Sequence, residues 1–598
     1  MEPAINARPA IGDGPRATST AARAWGCLRA CTAAAMPACT DIDELKRLPV
    51  QGTGFLIDAY DLFSMTSINV VLTAELGASF DAGGRSRLNG AVFLGVIAGQ
   101  LICGRWVGVA ALTLLPKDFA SGTSVSTPRL PRICAGPSPK GYEHLFFLPV
   151  PTITTNVCRR SYHLCVYCVP PLLTLDRVRL PHMPLFTVLA VYSHTHTYTP
   201  HIHSSHTLKF IRRLADVWGR KTLFVVTAVF LVLGSTLCTA APYPFAFPSR
   251  TGASWGNTLI WVLVITRFVL GIGIGGEYPL AATVSSEQSS AKNRGRQVGL
   301  VHAMQAVGQL LSALISLSLV ATHARRRPYS QGGLESIWRV LFGLGTLPPA
   351  IILFWRCGME ETASFARAQA RDDPPPLRIL ARHYGKRLVG ASLCWMLSDI
   401  MFYGIGIWSA SLLLEISGHG TDNLYQVMVQ SVILALVSLP WQFVAACTVD
   451  RVGHKRMQFV GFCCTAAGSF LFAALYKQLA KSPAAFVFFL ALLMCALNIG
   501  PNTTTFIIAG ESFPSRIRAT AHGFCAACGK VGALIGSSFF WAVRTASSTE
   551  VCFVILGLCA IAGALVTWLC VDELTGVSIE EEDRKYDEIT VAYRQSLG

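Results

Sequence analysis

Charge is what this sequence has least of. Only 14% of its 598 residues are Asp, Glu, Lys or Arg, where a soluble globular chain averages about 25%. So few charges cannot cover the surface of a soluble fold of this size. Hydrophobic residues make up 52% of the chain, and they arrive in long runs that approach the roughly 20 residues a helix needs to cross a bilayer. These features exclude a soluble α/β enzyme and an intrinsically disordered chain. They leave an all-α, multi-pass membrane protein. The Ala-, Arg- and Pro-rich start also lacks the positive, apolar, small-residue order of a secretory leader, so none is expected.

Acidic residues are scarcer than basic ones, 34 against 50, and the net charge is +16. Nucleic acid is not the expected partner, because Lys and Arg cluster in short loops between apolar runs, the positive-inside pattern. The 20 cysteines mostly stand singly within apolar runs, as Cys238, Cys394, Cys495 and Cys570 do. A thiol there behaves as a small hydrophobe, so neither a disulfide framework nor a metal site is expected.

The apolar runs set the organisation. Residues 1–50 read as a cytosolic tail and 51–105 as the start of a first half, with span one near 54–73 and span two from Leu88. Residues 213–355 hold spans three to six, 356–386 a charged cytosolic linker, 387–572 spans seven to twelve, and 573–598 an acidic cytosolic tail with Glu580, Glu581, Glu582 and Asp583. Basic residues follow the even-numbered spans (Arg294 and Arg296, Arg382 and Arg387, Lys455 and Arg456, Arg516 and Arg518), which places both termini in the cytosol. Arg325, Arg326 and Arg327 disagree, since they fall on the outer side.

Residues 106–212 break the pattern. Their apolar runs stop short of span length, and they end in a low-complexity alternation. Cys165 and Cys168 with five nearby histidines (His194, His196, His201, His203, His206) have irregular spacing for zinc. The segment therefore reads as an aberrant insertion, disordered or a retained intron. Removing it joins Gly104-Arg105 to Leu214-Ala215-Asp216-Val217-Trp218-Gly219-Arg220-Lys221. A second loop of the same type, Asp450-Arg451-Val452-Gly453-His454-Lys455-Arg456, follows span eight.

Four carboxyls lie inside spans: Asp58, Asp61, Glu277 and Asp399. An ionised group there is costly unless paired, so each is a functional candidate. Desolvation favours a carboxyl's neutral form, which suits all four to proton coupling. Trp395, Asp399 and Tyr403 are spaced i, i+4, i+8 and share one helix face. Indole N–H, a protonated carboxyl and a phenol offer three donors to an oxyanion. The run Gly271, Gly273, Gly275, Gly276 is not a nucleotide loop, because it lies inside an apolar span with no strand before it. Its small side chains suit close helix packing.

The paired loops resemble the motif of the major facilitator superfamily in which Asp and Arg clamp neighbouring helix ends. That resemblance implies gating roles for Asp216, Arg220, Lys221, Asp450 and Arg451, and Arg267 is a candidate gating partner of Glu277. The blocks GFLIDAYDLF, RFVLGIGIGGEYPLAATVSSE, AMQAVG, WMLSDIMFYG, PNTTTFIIAGESFPSRIRATAHG and GKVGA are similar to those of its phosphate:proton symporter branch. The resemblance covers about 50–105 and 213–572. It implies twelve transmembrane helices in two six-helix pseudo-symmetric halves, importing inorganic phosphate with protons by alternating access. It also implies no enzymatic step and no cofactor. Phosphate contacts would come from Tyr278, Gln305, Trp395, Asp399, Tyr403 and Asn502, with Lys530 supplying positive charge. One residue departs: Glu277 stands where the phosphate branch carries Asp, and a glycerophosphodiester branch carries Glu. The expected partners are phosphate, protons and the bilayer, with the plasma membrane as the default location and the oligomeric state left open. The alternatives are an organic-phosphate symporter and a non-transporting phosphate receptor.

Overall fold

A bilayer offers no water to exposed N–H and C=O groups, so apolar runs of this length must satisfy their own backbones as helices. Among the described residues every regular element is helical. The computed structural model describes residues 42–103, 220–242, 255–289, 292–324, 329–358, 377–416 and 424–595, all within one compact unit. The helices are α1 (Ile42–Leu76), α2 (Ala82–Cys103), α3 (Arg220–Thr239), α4 (Trp255–Gln288), α5 (Arg294–His323), α6 (Gln331–Leu344), α7 (Leu347–Cys357), α8 (Leu377–Ile416), α9 (Leu424–Val452), α10 (His454–Leu479), α11 (Pro483–Leu497), α12 (Thr503–Glu511), α13 (Ser515–Ala546), α14 (Thr549–Cys570) and α15 (Ile579–Gln595).

Among the described residues eleven candidate spans are long and apolar enough to cross a membrane, with α6–α7 and α11–α12 each counting as one, and Phe224–Thr239 within α3 is a shorter apolar helix. Outward-facing apolar side chains such as Ile265, Phe354 and Trp568 are exposed, as lipid contact requires. Both broken spans have a physical cause. Span six breaks at Gly345–Thr346, just before the prolines at the start of α7. Span ten passes through a π segment, Asn498–Asn502, with Pro501 inside it and Gly500 at φ −98°, ψ −107°. Gly461 of α10 lies so near Gly500 that a Cβ on it would come 2.3 Å from the Gly500 Cα.

Glycine also sets the two contacts that position the interior. A Cβ at Gly271 or Gly275 of α4 would lie 2.2 or 2.1 Å from a carbonyl of α2. One at Gly532 or Gly536 of α13 would lie 2.1 or 2.3 Å from a carbonyl of α8. Backbones touch there because nothing larger intervenes. Between the halves, α2 packs on α13 and α5 on α9.

Two segments differ from their sequence reading. α8 begins at Leu377, inside the stretch read as linker, because Arg378, Arg382, Lys386 and Arg387 in its first three turns hide it from hydropathy. The acidic tail contains α15, whose Tyr586 is buried. The insertion with its Cys and His residues, Asp216 and the three arginines at 325–327 lie outside the described residues.

Candidate functional site

Three steps of α8 carry Trp395, Asp399 and Tyr403 to a single line of the interior. The glycines of α13 bring Lys530 against that line. Its Nζ donates to Asp399 Oδ2 at 2.8 Å and to the Tyr403 hydroxyl at 3.1 Å. The ammonium also lies 4.4 Å from the Tyr403 ring centroid and 4.9 Å from that of Tyr278, which comes from α4 in the other half. Such cation–ring contacts gain strength when desolvated. Tyr403 is fixed in turn by Phe63, stacked at 6.0 Å, and by the edge of Phe93 at 5.0 Å. Tyr278, Gln305, Trp395, Asp399, Tyr403, Asn502 and Lys530 are all buried. Asn502 donates to Asn498 Oδ1 at 3.1 Å, and Gln442 donates to the same oxygen at 3.2 Å. Asn498 and Gln442 were missed in the sequence, since an uncharged amide in an apolar run gives little signal.

The first half holds a second buried ion pair. Glu277 of α4 meets Arg356 of α7 in bidentate fashion, at 2.5 and 2.8 Å, and accepts from the Thr227 hydroxyl at 2.7 Å. Arg356 also donates to the Phe224 carbonyl at 3.1 Å and covers the Phe224 ring at 4.5 Å. The pair presses on α1 at Gly54, where a Cβ would lie 2.7 Å from Glu277 Oε2. One turn further along α1 is Asp58, fully buried, and neither of its carboxylate oxygens has a hydrogen-bond partner among the described residues.

This arrangement corrects the reading of Arg267 as the partner of Glu277. Ten residues of helix separate the two by about 15 Å along one axis, too far to pair. Arg267 instead donates to the Asp61 backbone carbonyl at 3.1 Å and lies 5.6 Å from the Phe342 ring. Asp61 is fully buried and packs into the break of span six, where a Cβ at Gly345 would lie against its carboxylate.

At the basic end of the bundle, Asp450 accepts the Arg296 backbone N–H at 2.8 Å and so caps the start of α5 from the opposite half. His454 bridges Asp450 Oδ1 and Glu511 Oε2, each at 3.2 Å. Arg451 is exposed. Of Arg220 and Lys221 only the backbone, at the start of α3, is described. The tail adds further caps. Glu573 accepts the N–H groups of His454 and Lys455 at 3.0 and 3.2 Å, and Asp583 accepts that of Ser515 at 2.7 Å. Arg387 pairs with Asp572 at 2.8 Å and Glu582 at 3.2 Å. Among the described residues no group of His, Cys, Asp and Glu could hold a metal.

The central site therefore offers one ammonium, already shared by a carboxyl and a phenol, inside an aromatic wall. An anion entering it must compete with Asp399 for Lys530. Against known proteins, the sequence profile described as Major Facilitator Superfamily matches residues 209–537, more than half of the chain. A repressible high-affinity phosphate permease of Neurospora crassa is 31% identical over 56% of this chain and 67% of its own length. Glycerophosphoinositol permease 1 of Candida albicans is 30% identical over 62% and 69%. A partially occluded inward-open structure of the xylose transporter XylE from E. coli matches with a TM-score of 0.56 at 16% identity, over 90% of this chain and 99% of that one. The last likeness is one of fold.

Proposed function

The chain belongs to the major facilitator superfamily, and from that premise we propose that it imports inorganic phosphate with protons by alternating access. The observation that carries this reading is the shared ammonium of Lys530. With Asp399 ionised, the Lys530 charge is neutralised, and an incoming phosphate would also meet the carboxylate. Two unit charges about 4 Å apart repel by about 4 kcal/mol at an effective dielectric near 20. A proton on Asp399 removes the repulsion, frees Lys530 for the anion and adds a donor. Loss of that proton returns Lys530 to Asp399 and expels the substrate. Proton and phosphate thus bind together and leave together.

Trp395, Tyr278, Tyr403, Gln305 and Asn502 complete the pocket around the phosphate oxygens. Asp58 and Asp61, both buried on α1, are the further proton-handling carboxyls. Glu277, fully engaged by Arg356 and Thr227, is held out of that exchange. Asp450 with Arg296 closes the cytosolic end, and the first loop motif plays the same part in the other half. The location is the plasma membrane. The relatives named as a phosphate permease and a glycerophosphoinositol permease lend support to a phosphate-bearing substrate.

Glu277 favours one second reading, a glycerophosphodiester substrate, because the branch carrying those substrates shows Glu at this position. Labelled-phosphate uptake into proteoliposomes, with and without glycerophosphoinositol as competitor, tests both. Saturable uptake driven by an inward proton gradient and barely reduced by the competitor is expected. Asp399→Asn is the decisive variant. It should bind phosphate at pH 5 and pH 8 yet fail to accumulate it against a gradient, because release is no longer tied to deprotonation. Wild-type accumulation by Asp399→Asn would sink the mechanism.

A further inference from the structure

Two histidines lie at the interface of the halves and are not among the residues named above, although His522 meets the site's Trp395 ring at 5.4 Å. His302 comes from α5 and His522 from α13, and both are buried. Each packs against the ring of Phe506, at centroid distances of 5.1 and 5.3 Å. Phe506 also meets Phe55 at 4.9 Å and Trp395 at 5.9 Å, so one ring joins both histidines to the aromatic wall of the central site. Both ring nitrogens of His522 and Nδ1 of His302 lack a hydrogen-bond partner among the described residues. A buried polar atom left unpaired costs about 1–3 kcal/mol. Native interiors rarely keep such atoms without a use.

Position on the helix gives that use a direction. Arg518, His522 and Lys530 fall at multiples of four residues along α13, a stripe that winds about a third of a turn over its length. From Lys530 to His522 is about 12 Å toward the start of α13, and from His522 to Arg518 about 6 Å more. Arg518 is buried and, with Arg294 and Glu511, lines a cleft at the basic end. A neutral imidazole carries one N–H donor and one acceptor nitrogen. A tetrahedral oxyanion that keeps a hydroxyl, such as dihydrogen phosphate, carries the complementary pair.

Resting on the phosphate reading above, we propose that His522 and His302 form a second oxyanion station, which takes phosphate from Lys530 and passes it to Arg518. Phe506 separates the two stations until the halves rock apart.

The test uses the full chain in proteoliposomes with labelled phosphate. His522→Leu removes both nitrogens without adding charge. It should keep Kd and KM near wild type while kcat falls about tenfold, because the loss lies on the exit path and not at entry. His522→Gln, which keeps a donor and an acceptor, should recover most of the lost turnover. Wild-type turnover in His522→Leu, or equal losses in Leu and Gln, would overturn the station. A parallel loss of binding and turnover would overturn it too, since that marks a packing role. A wild-type protein that binds and moves no phosphate would instead overturn the reading on which the station rests.

Discussion

Two of the buried ion pairs, Lys530–Asp399 and Glu277–Arg356, sit in opposite halves and are built differently. Lys530–Asp399 has a single carboxylate contact and a phenol, and aromatic rings form much of the remaining surroundings. Glu277–Arg356 is bidentate and is further bound by Thr227 and the Phe224 carbonyl. The first leaves room for an anion to displace one partner. The second has both carboxylate oxygens of Glu277 engaged by Arg356 and one also by Thr227. On the proposed function the first pair is the switch and the second a fastener, a division that substitutions in each pair test.

Removing the switch should have the largest effect. Lys530→Met is expected to bring phosphate uptake to background. Adding Asp399→Asn should restore thermal stability without restoring uptake, as melting curves and tracer assays on the same preparation would show. The fastener should behave in the opposite way. Arg356→Leu alone leaves Glu277 buried without its counter-charge, at a cost of about 3–5 kcal/mol. In Arg356→Leu with Glu277→Leu, most of the stability and a proton-driven uptake should return. If uptake stays absent in that double variant, the two pairs are not different in kind and Glu277 belongs to the proton path.

A smaller effect sharpens the same point. Gly54→Ala places a methyl 2.7 Å from Glu277 Oε2, and overpacking of this sort costs about 1–3 kcal/mol. Glu277→Asp withdraws the carboxyl by one methylene and should relieve part of that loss, read as a melting shift in the double variant. The smallest effect lies outside both pairs. Glu573→Ala removes a carboxylate from the first N–H groups of α10 and should cost about 1 kcal/mol, with little change in uptake at saturating phosphate.

Much of this was legible in the sequence because charge is rare in it. Asp58, Asp399 and Lys530 stood out as ionisable residues in apolar runs, and the Trp395–Asp399–Tyr403 spacing foretold their shared face. Arg356 did not stand out. It ends an apolar run, where the positive-inside rule already accounts for an arginine, and its partner lies 79 positions away. Thr227, Gln442 and Asn498 are uncharged and leave hydropathy almost untouched. Gly54 has no side chain to announce that a carboxylate rests against its backbone. The histidines at 302 and 522 drew no attention in the sequence, because only the fold brings them to a shared ring. The acidic tail gave no sign of its caps, since its contacts are with helix starts that only the fold brings near.

Those tail contacts bear on the order in which the molecule is completed. The N–H groups that begin α10 and α13 meet their carboxylates at Glu573 and Asp583, residues synthesised after every span has been made. Each helix must therefore enter the membrane with its start bare and exposed to water. The finishing contact comes from a segment that leaves the ribosome after all of the described spans. A chain stopped after residue 571 should insert all its spans and yet be cut faster by cytosolic protease at the α9–α10 turn than the full chain. The segment after residue 571 would then act as a seal on helix starts that the spans alone leave open.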